Sequence, residues 1–134
     1  MSSHDLGQLE QLVATIDTAA DRLRDYMAEF EGHVSPDGEI VEGVRFRYET
    51  LVADAIDAIY DDYEQRGERP PPEAVREARA RKMVERSDPT LAARYRALAG
   101  SIKVGQRWLA EKRAALSGLQ SLNKTERDLA GVRS

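Results

Sequence analysis

Residues 6–30 read "LGQLEQLVATIDTAADRLRDYMAEF". The apolar positions Leu6, Leu9, Val13, Ile16, Ala20, Leu23, Met27 and Phe30 alternate in steps of three and four. That spacing keeps one side of an α-helix apolar and is a heptad seam of about four repeats, the pattern by which one helix packs along another. Ser3 or Asp5 can cap its start and Gly32 can end it. At 1.5 Å per residue such a helix reaches roughly 40 Å and needs a partner of similar length. Leu6, Leu9, Val13, Ile16, Leu23, Met27 and Phe30 are therefore the expected oligomer interface.

"GHVSPDGEIVEG", residues 32–43, holds the turn signal Pro36-Asp37-Gly38 and is read as a loop whose apolar pieces, Val34 and Ile40-Val41, can pair as a minimal hairpin. A second helix is predicted from Val44 to Gln65, with Tyr48, Val52, Ile56, Ile59 and Tyr63 on its inner stripe and Gly67 as its stop. Pro70, Pro71 and Pro72 block continuation. A third helix follows from about Pro72 to Arg86, with only Val75, Ala78, Met83 and Val84 as a thin apolar stripe. "SDP" at 87–89 then supplies Asp88 as a cap and Pro89 as the first residue of the longest helix.

That last helix carries Leu91, Tyr95, Leu98, Ile102, Gly105, Leu109, Lys112, Leu116, Leu119 and Asn123 in steps of three and four. Ala97, Ser101 and Gly105 form a strip of small residues where a neighbouring helix is expected to come close. The fold class is thus all-α: a helical hairpin or bundle of two long and two shorter helices with coiled-coil-like packing, completed by self-association. It is read as one helical domain over 1–134, with an acidic half (1–65), a basic half (73–126) and a polar tail (127–134) expected to fray.

Composition narrows the chemistry. The 134 residues are 33% charged and only 6% aromatic, a balance of solvated helices. With no cysteine there is no disulfide framework, thiolate zinc site or cysteine nucleophile. No signal-peptide pattern opens the chain and no apolar run approaches a membrane span, so a soluble protein without membrane association is expected. His4 and His33, the two histidines, have neither ligand spacing nor a serine and acid around them. Asp54, Asp57, Asp61 and Glu64 line one helical face and offer oxygen ligands of the kind Mg²⁺ takes. All-helical nucleoside triphosphate pyrophosphatases use two such acidic pairs, but the second is missing here, because Glu39 and Glu42 fall in the loop. No catalytic residue, metal ligand or cofactor is assigned.

The net charge of −4 conceals a polarity. Residues 1–65 carry four basic and sixteen acidic side chains, and residues 66–134 carry sixteen basic and eight acidic ones. Either the two halves neutralise each other within or between chains, or the basic half meets a polyanion. The candidates for such a surface are Arg76, Arg79, Lys82 and Arg86 on the third helix and Lys103, Arg107, Lys112 and Arg113 on the fourth. Trp108 sits among the latter, where it either stacks on a base or packs against a helix. On the third helix Glu73, Glu77 and Glu85 interleave with the arginines, and Glu77 can pair with Arg81 along the helix.

Residues 70–126, above all "KRAALSGLQSL" after the proline-bounded "PPPEAVREARA" and the "SDP" cap, resemble small helical proteins of bacteriophages and prophages encoded in early DNA replication and recombination regions. The resemblance implies a non-enzymatic accessory role in the cytoplasm of a bacterial host, with DNA or a DNA-bound protein as partner. The other reading is a structural or adaptor module that oligomerises without nucleic acid.

Overall fold

The computed structural model describes the backbone of residues 3–133, and side chains for residues 6–122, 124–126 and 129. Ser3 and Asp5, the expected caps of the first helix, together with His4 and Asn123, fall outside the described side chains, as does most of the tail. The fold is all-α. Helix α1 (Ser3–Glu31) leads through a two-stranded hairpin, β1 (Gly32–Val34) and β2 (Ile40–Glu42), into α2 (Val44–Gln65), α3 (Glu73–Ser87) and α4 (Pro89–Arg133). Contacts divide the chain into two compact units: residues up to Asp25 with those from Ser101 onward (unit 1), and Tyr26–Gly100 (unit 2).

Each joint of unit 2 has a local cause. At the end of α1, Gly32 takes φ +90°, which only glycine adopts without strain. The segment expected as a loop closes into the antiparallel pairing Gly32↔Glu42, His33↔Val41, Val34↔Ile40. Its turn is held by Ser35: the backbone N–H donates to the Glu39 carbonyl (2.7 Å), and the hydroxyl accepts from the Glu39 N–H (3.1 Å). Gly43 then passes so close to the end of α1 that an added Cβ would lie 2.2 Å from the Phe30 carbonyl oxygen and 2.4 Å from the Gly32 nitrogen. A side chain there has no room.

Helix α2 ends in a Schellman motif. Glu68 N–H donates to the Tyr63 carbonyl and Gly67 N–H to that of Glu64, both at 3.0 Å, with Gly67 at φ +66°. Pro72 precedes α3 rather than lying inside it, and its carbonyl accepts from the N–H groups of Val75 and Arg76. Asp88 serves two helices. Its N–H donates to the Val84 carbonyl at the end of α3, and its carboxylate accepts from the Leu91 N–H (3.0 Å) at the start of α4.

The core of unit 2 is built from Phe30, Val44, Tyr48, Val52, Ala55, Ile59, Ala80, Val84, Leu91, Ala92 and Leu98. Helix α3 contributes Ala80 and Val84, whereas Val75 and Met83, expected on its inner stripe, are both 40% exposed. The small Ala80 is what lets α3 lie close against α2. Among the described residues of unit 1 the buried hydrophobic ones are Ile16 and Leu109. There Leu23 of α1 occupies the space at Gly105, where an added Cβ would stand 3.2 Å from its Cδ1, so the small-residue strip meets a neighbouring helix at Gly105, whereas Ala97 and Ser101 are exposed.

These contacts predict opposite effects for two glycine substitutions. Gly43→Ala forces backbone apart and is expected to cost at least about 2 kcal/mol in urea unfolding. Gly118→Ala, in a helix with nothing within 4 Å of the added methyl, is expected to gain about 1 kcal/mol.

Candidate functional site

The side chains that orient the helices of unit 2 converge on Tyr95. Its ring stacks on Tyr48 at 4.1 Å between centroids and meets Phe30 at 5.5 Å, so α1, α2 and α4 share one aromatic cluster. Helix α3 joins it through Arg81, whose guanidinium lies 5.8 Å from the Tyr48 ring centroid. Arg81 also donates to Glu77 at 2.8 Å. Hydrogen bonding to Glu77 first, and to the Tyr48 hydroxyl second, holds the Arg81 proton more tightly than in a free arginine. The Glu77–Arg81 pair was legible from its spacing of four.

With α3 oriented this way, its outward face is set. At 100° per residue Arg79, Lys82 and Arg86 fall within an arc of about 60° on the side away from Ala80 and Val84. All three are exposed. The interleaved acids lie elsewhere: Glu77 turns to Arg81, and Glu85 pairs with Arg96 of α4. Arg79 donates to the Tyr63 hydroxyl (2.8 Å), and among the described residues no carboxylate pairs with Arg79, Lys82 or Arg86. Arg76 is different. It is half-buried, its guanidinium 4.2 Å from the Tyr60 ring centroid and its buried Nε without a hydrogen-bond partner, so this cation is committed to packing.

The other basic candidates belong to unit 1. Lys103, Arg107 and Arg113 are exposed on α4, with Lys103 and Arg107 on the side away from Leu109. Lys112 is half-buried with Nζ 5.7 Å from the Trp108 ring centroid. Trp108 is half-buried beside Ala14, Thr15, Thr18, Ala19 and Arg22 of α1. Its environment is therefore a helix neighbour and a cation from its own helix.

Of the expected oligomer seam, Ile16 and Phe30 are buried within the chain, Leu9 and Leu23 are half-buried, and Leu6, Val13 and Met27 are exposed. Asp54, Asp57, Asp61 and Glu64 lie exposed on α2, opposite its buried Val52, Ala55 and Ile59. Among the described residues, no group of three acidic or histidine side chains converges closely enough to hold a metal ion. No helix among them is long and apolar enough to cross a membrane. No family model, curated protein or solved structure matches the chain.

One contact of unit 2 had no local signal. Arg94 donates its Nε to Glu29 Oε1 (2.6 Å) and a second N–H to Oε2, joining the end of α1 to the start of α4 across 65 residues. The hydrogen bond from Arg94 outweighs partial desolvation and lowers the Glu29 pKa below its ordinary 4.5. A lowered folded-state pKa means that the carboxylate stabilises the fold above the unfolded value and loses this contribution as pH falls through the folded one. The expected outcome is that wild type exceeds Glu29→Gln in stability at neutral pH, with the difference vanishing in acid. Urea titrations of both proteins across that range check it.

Proposed function

We propose that the protein is a non-enzymatic accessory of DNA replication or recombination, of the phage type, working in a bacterial cytoplasm and binding a nucleic-acid backbone through the outward face of α3. The observation that supports this reading most directly is that, among the described residues, no carboxylate pairs with Arg79, Lys82 or Arg86. With Glu77 and Glu85 drawn to Arg81 and Arg96, Lys82 and Arg86 face water and Arg79 is held only by the neutral Tyr63 hydroxyl, so this face presents positive charge without compensation by a carboxylate among the described residues. Long flexible side chains on such a face meet phosphates at little cost, and they carry no base readout of their own.

Unit 1 adds Lys103 and Arg107 as a second exposed cationic stretch. Trp108, which lies beside α1, and Lys112, which sits over the Trp108 ring, are left out of the contact set. Arg76 is left out for the same reason. The acidic α2 face, with Asp54, Asp57 and Asp61 exposed, repels a second strand and limits nonspecific coating.

Three phosphate contacts on duplex DNA correspond to a slope of about −2.7 in log K against log salt, or on the order of 40-fold weaker binding between 50 and 200 mM. Fluorescence anisotropy with a labelled duplex and a labelled single strand measures it. Lys82→Glu with Arg86→Glu, both at exposed positions, is expected to abolish the salt-dependent binding while leaving helicity unchanged. A flat salt profile, or unchanged affinity in the double variant, would overturn the proposal.

A further inference from the structure

We infer that unit 1 is completed by other copies of this chain, with α1 of one copy lying head-to-tail against α4 of the next. Two antiparallel helices bury only the strip between them, here marked by Ile16 and Leu109. On α4, Val104, Leu119 and Leu122 lie within about 40° of Trp108 around the helix and are 69%, 44% and 64% exposed. On α1, Leu6 and Val13 are 47% and 39% exposed. They stand about 150–170° around α1 from the mean direction of Ala14, Thr15, Thr18, Ala19 and Arg22, the residues beside Trp108. The two apolar strips therefore sit on opposite flanks of the helix pair and cannot cover each other within one chain.

Charge identifies what covers them. In unit 1, α1 up to Asp25 carries five acidic and two basic residues, and α4 from Ser101 carries seven basic and three acidic ones. Among the described residues no ion pair joins these two helices; Arg24 pairs with Asp21 along α1 instead. Each helix thus keeps its charge for a neighbour. Glu10 and Asp17 border the α1 strip, and Arg107 and Lys112 border the α4 strip, with Glu111 the exception beside Val104. Copies of the chain offer both complements in a head-to-tail contact, the acidic α1 of one copy to the basic α4 of the next, whereas a partner of a single sign satisfies only one. The α1 stretch from Leu6 to Asp25 is about 30 Å long and the helix pair about 20 Å wide, so a covered face buries roughly 600 Å² per copy. The total of about 1,200 Å² reaches the size of a specific interface.

The inference shares only Arg107 with the polyanion reading, and because its test contains no nucleic acid the two fail separately. Sedimentation of the full chain over a dilution series is expected to show at least twice the mass of one chain, falling to one on dilution, while emission from Trp108 shifts to the red. Val104→Glu with Leu119→Glu is expected to raise the dissociation constant at least about 10-fold with helicity intact. Ile40→Glu, on the hairpin of unit 2 at a position 83% exposed, is expected to leave it unchanged. Glu10→Lys with Asp17→Lys, and separately Arg107→Glu with Lys112→Glu, should each weaken self-association, and mixing the two variants should restore it. A single-chain mass at every concentration overturns the inference. So does association that survives the Val104 and Leu119 changes, association lost on Ile40→Glu, or a mixture that fails to recover.

Discussion

The stack of Tyr48 on Tyr95 is the contact on which the rest of unit 2 depends. Phe30 at the end of α1 packs against the same Tyr95, and Arg81 brings α3 to the other partner, so one cluster fixes the rotation of four helices. An aromatic pair contributes on the order of 1 kcal/mol beyond its area. Its larger effect is directional. With Arg81 turned inward to Tyr48 and Glu77, the outward side of α3 belongs to Arg79, Lys82 and Arg86. The cationic face is thus a consequence of how the core is packed.

The acids of α3 explain why that face stays cationic. Glu77 and Glu85 are each drawn to an arginine on the inward or lateral side, Arg81 and Arg96. Ion pairs this exposed contribute little stability. Their consequence is the distribution of charge: carboxylates at the flanks, cations outward.

Most of the architecture was legible in the sequence because its signals are local. The cap at Asp88, the stop at Gly67 and the limits of α2 follow from residues within a turn of each boundary. The rotation of α3 was not legible, since four apolar residues define a weak stripe, and of its three alanines it is Ala80, outside that stripe, that is buried with Val84. Nor were the pairs Glu29–Arg94 and Glu85–Arg96, which join residues of different helices. For the candidate surface, the sequence supplied the residues but not their sorting. Arg76 and Lys112 differ from Lys82 and Arg107 only in facing a ring, and that depends on where Tyr60 and Trp108 stand.

The two units differ in how much of their apolar surface a single chain can bury, and that difference is the central claim. Unit 2 has a core drawn from all four helices; unit 1 is a helix pair with apolar strips left on both flanks. Hydrogen exchange measured at high and low protein concentration tests it most directly. The account predicts that protection in α2 and α3 does not change with dilution, whereas protection over residues 6–25 and 103–122 falls. Equal protection of both units at every concentration would contradict it.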